Sequence, residues 1–177
     1  YAQVLLEETS FTEAMIATFS AVLASPEFLF QCSQPGKLDD FALAERLSFF
    51  LGESMPDETL SKLARTGKLR DAGNLKKQVD RLIDKPEFNR FVREFLNSWL
   101  KLDEINDTDP DRELYPEYAG DWWLVSSMVK ESQLFFADLI VNNRPASGLI
   151  DSDYTFLDER LARHYGVDGL QGPDFKR

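Results

Sequence analysis

Histidine occurs once in these 177 residues, at position 164, and cysteine once, at position 32. A lone cysteine excludes an internal disulfide and any Cys-x-x-Cys or Cys-x-x-Cys-His motif. One residue of each kind also excludes a four-ligand zinc site built from Cys and His. Basic residues are scarce: 20 Lys and Arg stand against 31 Asp and Glu, a formal net charge of −11. Affinity for nucleic acid comes largely from Lys and Arg releasing counterions, so a surface this acidic is not expected to bind DNA or RNA. Long apolar runs are missing too. The longest uncharged stretch, Ala14 to Pro26, is too short to span a bilayer and is followed by Glu27, so membrane insertion is not expected. The opening "YAQVLLEETS" has neither the basic start nor the apolar stretch of an export signal, and a first residue other than Met predicts a piece of a longer chain. No Gly-x-Ser-x-Gly elbow occurs. "TGKL" at Thr66 has the tail of a phosphate-binding loop, but Lys62 stands where the first Gly is needed and Leu69 where Ser or Thr is needed.

What the chain has in plenty is apolar material at helical spacing. Hydrophobic residues make up 43%, with fourteen Phe and three Trp, enough for a sizeable core. Phe88, Phe91, Val92, Phe95, Leu96, Trp99 and Leu100 form one stripe of a helix. A second long helix is expected from about Asp121 to Asn142, with the stripe Trp122, Val125, Val129, Ser132, Phe136 and Leu139, widened by Met128, Phe135 and Ile140. Ser10 and Glu13 make a capping box ahead of Phe11 to Ala24. Asp39 caps Asp40 to Leu51, ended by Gly52. Pro56 lies near the start of a helix stopping at Gly67, and Asp71 begins another that carries Leu75, Val79, Leu82 and Ile83. "SPEFLF" and "KPEFNRF" each fit a helix with Pro at its first position. Alternating patterns never persist. The fold class expected is all-α: a multi-helix bundle with two long helices, several shorter ones and no significant sheet.

Between the two long helices, "LDEINDTDPDRELYPEYAG" reads as an exposed connection. Asp107, Asp109 and Asp111 alternate as in a calcium loop, but Arg112 and Tyr118 occupy the places of the required Gly and Glu, so a solvated loop is the better reading. Glu131, on the edge of an apolar face, is the most interesting carboxylate, with a structural hydrogen-bonded acid as its plainer role. Thr155 is expected to cap the last helix, with Asp158 as capping-box acid and Gly166 as its left-handed end. His164 then falls in the last turn, where it closes and packs the helix more simply than it catalyses anything.

Seven segments in register carry a resemblance: "LASPEFLFQ", "LDDFALAERLSFFLGESMPDETL", "GKLRD", "FVREFLNSWLKL", "ELYPEY", "ESQLFF" and "DYTFLDERLARHYGV". Together they resemble the helical domain of unknown function found in large planctomycete-type proteins that carry cytochrome c modules. The resemblance covers Leu23 to the C-terminus, residues 23–177 as one compact unit. Residues 1–22 resemble the tail of the small helical domain that precedes it. "ASGLID" at Ala146 is smaller than the Leu-rich version expected there, and Asp158 replaces an Asn. The resemblance implies a non-haem module that supports or docks adjacent cytochrome c-like domains of the same chain, in an extracytoplasmic electron-transfer protein. It implies no cofactor within these residues and c-type haem in the neighbouring domains. It supplies no catalytic residues. The rival reading is part of an oxidoreductase active site completed by a haem domain, drawing on Glu131, Asp153, Tyr154, Arg160 or His164. A carbohydrate-binding or carbohydrate-cleaving unit would instead need a cleft lined by exposed members of Trp99, Trp122 and Trp123, whose positions on apolar stripes predict core packing.

Overall fold

The computed structural model describes residues 10–30, 36–107, 110–118 and 121–177. Cys32, Asp109 and the first nine residues lie outside that description, and with them the cysteine and part of the alternating acidic run. The described residues form α1 (Phe11–Leu23), α2 (Pro26–Leu29), α3 (Asp40–Gly52), α4 (Glu58–Arg65), α5 (Ala72–Ile83), α6 (Phe88–Leu100), α7 (Trp122–Val141) and α8 (Glu159–Tyr165), with short 3-10 turns between some of them. No strand is found among them. The nearest thing to a sheet is an isolated antiparallel bridge, in which Leu157 and Lys176 exchange backbone bonds of 2.8 and 2.9 Å. The chain is all-α.

Local chemistry sets most of the helix ends. The Ser10–Glu13 capping box opens α1, Ser25 caps α2 with Pro26 at its first position, and the Asp39 carboxylate accepts the Ala42 N–H at α3. At α4 the cap is Asp57, one residue beyond Pro56. Three expectations need correction. Pro86 is not the first residue of its helix: α6 opens at Phe88, with Glu87 at the N-cap and no side-chain capping bond. The last helix is capped by Asp158, whose Oδ1 accepts the Leu161 N–H at 2.8 Å, and not by Thr155. Thr155 is drawn away because its hydroxyl donates to Glu131 on α7. Gly52 is still helical, and the left-handed residue that ends α3 is Glu53, at φ 48°. Lys101 does the same for α6 at φ 58°.

The core is double. Ala44, Leu51, Leu60, Ala64, Leu69, Leu82, Phe88, Val92 and Leu96 form a first cluster from α3 to α6. Leu124, Leu157, Leu161 and Ala162 form a second, closed by Met128, Leu170 and Phe175. Helix α7 serves both: Phe136, Ala137 and Ile140 lie against the first cluster, Leu124 and Met128 in the second. That dual duty is why the expected single stripe on α7 omits Leu124 and Ser127, two of its buried positions. Asp40, 5% exposed, ties α3 to the turn after α4 by accepting the Leu69 N–H at 2.7 Å and the Arg70 Nε–H at 2.6 Å. Burial opposes its ionisation, but those bonds outweigh it and hold the carboxyl below the usual range.

Candidate functional site

Polar side chains with long-range partners gather where α7, α8 and the segment between them meet. Glu131, on the middle turns of α7, accepts from the Thr155 hydroxyl and from the Tyr165 Oη–H at 2.9 Å. Burial pushes the Tyr165 phenol up to about 12, and the neighbouring Glu131 carboxylate adds to the shift. The phenol therefore stays protonated as a donor across the physiological range. His164 precedes Tyr165 and sits edge-on to Tyr118, with ring centroids 5.6 Å apart and Tyr118 Oη 3.5 Å from Nε2. That distance is too long for a strong hydrogen bond, so the contact is mainly packing. Glu131 and His164 thus meet the same residue, Tyr165, on one seam.

Tyr154 and Asp153 lie elsewhere, at a hollow of 320 Å³ that Arg144 and Leu139 also line. The Tyr154 hydroxyl donates to Asp138 Oδ2 at 2.7 Å, and Arg144 Nε approaches the same oxygen at 2.6 Å, as an ion pair without hydrogen-bond alignment. The guanidiniums of Arg144 and Arg177 lie 5.1 and 4.0 Å from the Tyr154 ring centre. Burial resists ionisation of Asp138, but the Tyr154 bond and the Arg144 charge prevail and lower its carboxyl. Asp153 is exposed at the rim. Arg160 is on a third site: its Nη1 donates to Asp121 Oδ2 at 2.7 Å, at the start of α7. The five residues singled out from sequence therefore divide into three places and do not converge on one centre.

Sequence reasoning missed the buried pair Ser127 and Asp158, joined at 2.6 Å by the Ser127 hydroxyl donating to Oδ2. With Oδ1 engaged by the cap of α8, this carboxylate clamps α8 onto α7. Asp138 was missed for the same reason: the Tyr154 partner is distant in sequence, and no local pattern announces it. Every carboxylate named in these contacts already accepts bonds from within the protein, an arrangement suited to fixing helices rather than to moving protons. Among the described residues no group of three or more His, Cys, Asp and Glu is placed to hold a metal ion. Asp111 turns its Oδ1 to the N–H groups of Glu113 and Leu114, closing its own loop.

The apolar surface is more unusual than the polar seam. An aromatic ladder runs from Phe50 on α3 to Phe91, Phe95 and Trp99 on α6, with centroid steps of 4.8, 5.6 and 5.7 Å, and crosses from Phe95 to Phe136 on α7 at 5.1 Å. Its edge is open to water: Phe50 is 61% exposed and Trp99 52%. Beside it, Leu38, Leu43, Leu47 and Phe49, with Arg46 among them, line a largely apolar hollow of 590 Å³. Core packing was the expectation for the tryptophans, and the structure corrects it: Trp99 is half-exposed and Trp123 is 72% exposed, while the Trp122 side chain lies outside the described residues. Helix α1 leaves Phe11, Ile16 and Phe19 exposed as well. No described helix is long and apolar enough to cross a membrane.

A profile of the family described as PSD4, a protein of unknown function (DUF1592), matches residues 38–167, well over half of the chain. No curated protein and no solved structure matches.

Proposed function

The chain belongs to this family of proteins of unknown function, and from that premise we propose that it is a non-haem docking module, seating adjacent domains of a larger extracytoplasmic, cytochrome c-containing polypeptide. The observation that carries the reading is the open aromatic ladder from Phe50 to Trp99 with the apolar hollow beside it. Soluble proteins rarely leave contiguous apolar surface open unless something covers it. The polar residues argue in the same direction. Glu131, Asp138 and Asp158 are engaged in holding helices together, so a catalytic role in an oxidoreductase site has less support than a scaffold role. Haem in the neighbouring domains, and their role in electron transfer, rest on the sequence resemblance.

The test joins genetics to biochemistry. Reading on from Arg177 should reveal a Cys-x-x-Cys-His motif within roughly 150 residues, one domain length. In the longer polypeptide, Phe50→Asp with Trp99→Asp should leave helical circular dichroism intact but speed proteolysis between the module and its neighbour. A reading frame without a haem motif removes the cytochrome setting. Unchanged proteolysis in the double variant removes the docking face.

A further inference from the structure

Trp123 does not belong to the ladder. It stands at the second position of α7, its backbone N–H fixed by the Asp121 carboxylate at 3.1 Å, and 72% of it is exposed. It lines a cleft of 340 Å³ with Glu159, Arg160 and Arg163 of α8, and with Gly172 and Pro173 of the C-terminal segment. That volume is at the small end of ligand pockets, which run from about 300 to 1,000 Å³.

We propose that this cleft is a binding subsite for a neutral glycan. The indole face is a flat apolar platform of the kind that accepts the C–H face of a sugar ring. Around it the polar heads are already oriented. Arg160 is held by Asp121 at 2.7 Å, and Arg163 by Glu159 Oε1 at 2.8 Å. Glu159 Oε2 in turn accepts the Gly172 N–H at 2.8 Å. A guanidinium carries five N–H donors, so one ion pair leaves capacity for a ligand, and a carboxylate oxygen keeps a second lone pair. The cleft therefore offers donors and acceptors side by side, matching hydroxyl groups that both donate and accept.

Charge selects against other ligands. Asp158 and Glu159 offset Arg160 and Arg163 within the cleft, and the whole chain carries −11. An anionic ligand gains nothing from that balance. A peptide that binds by strand addition would need a free sheet edge, and the described residues have no strand. The cleft lies apart from the aromatic ladder, so this inference and the docking reading stand or fall separately.

Titration calorimetry of the chain with cellohexaose, mannohexaose and chitohexaose tests it. At least one should bind with a Kd of about 0.1–1 mM, as suits one open aromatic platform. Trp123→Ala should weaken that binding by about tenfold or more, and Trp123→Phe should restore part of it, with circular dichroism and melting unchanged in both. Arg163→Gln should lower the affinity less. Absence of heat with all three sugars at about 10 mM would overturn the proposal. So would binding that Trp123→Ala leaves unaltered, or a preference for dextran sulfate that fades with salt, the mark of an anion site.

Discussion

Asp57 does two jobs with one carboxylate, and substitution can separate them. Its Oδ1 caps α4 through the Leu60 N–H at 3.0 Å. The same group accepts from Arg81 at 2.6 and 3.1 Å and from Lys85 Nζ at 2.7 Å, tying α4 to α5 and the turn that follows it. Losing an N-cap costs about 1 kcal/mol. Each ion pair is about one-third exposed, so screening discounts it to roughly 0.5 kcal/mol. Asp57→Ala should therefore destabilise by about 2 kcal/mol, and Asp57→Asn, which keeps an equally good cap, by about 1 kcal/mol. The Arg81 bonds, joined by Lys85 and the Leu60 N–H, hold the folded-state carboxyl far below its usual range despite some burial. The stabilisation from its charge is then complete above the unfolded pKa of about 3.9 and is lost as the pH falls through the folded value. Urea unfolding followed by far-ultraviolet circular dichroism should show the gap between the native protein and Asp57→Asn as constant from pH 7 to about 5, then shrinking toward pH 2. A gap that stays constant to pH 2 would refute the charge argument. Equal losses for Ala and Asn would refute the capping argument.

Two further outcomes concern α8. Leu161 is 0% exposed, so Leu161→Ala should cost about 2–5 kcal/mol by leaving a cavity, read as a lowered urea midpoint with an unchanged slope. His164 packs on Tyr118 and Tyr165 in the last turn of α8, and His164→Gln should cost on the order of 1 kcal/mol while leaving binding to neighbouring domains intact. Lost partner binding at unchanged stability would make His164 a functional residue instead.

Legibility from sequence followed the range of the interaction. Ser10, Asp39, Gly67 and Gly166 act on backbone groups within a few residues, and their patterns foretold the ends they make. Thr155 and Asp158 stand three apart, and either suits a capping position. What decides between them is Glu131, on another helix, and no local pattern contains it. The buried partners Asp40–Leu69 and Ser127–Asp158 were hidden for the same reason. Stripe positions told which side of α6 faces inward, but not where along the helix the core ends. Trp99 follows the periodicity faithfully and still projects past the cluster into water.

The division of the core sets an order of assembly. The first cluster draws its buried residues from Ala44 to Leu96, one unbroken stretch of chain, and closes over short loops. During synthesis its buried residues are all made before α7 begins. The second cluster must wait for Leu170 and Phe175, and for the Lys176 bridge that fastens this segment to Leu157. Synthesis thus delivers the α3–α6 part of the first cluster ahead of Phe136, Ala137 and Ile140 of α7, which cover it, and further ahead of the second cluster. The Trp123 cleft, walled by Gly172 and Pro173, is completed late in that order, and trimming the chain back to Leu170 would open it while the first cluster stayed shut.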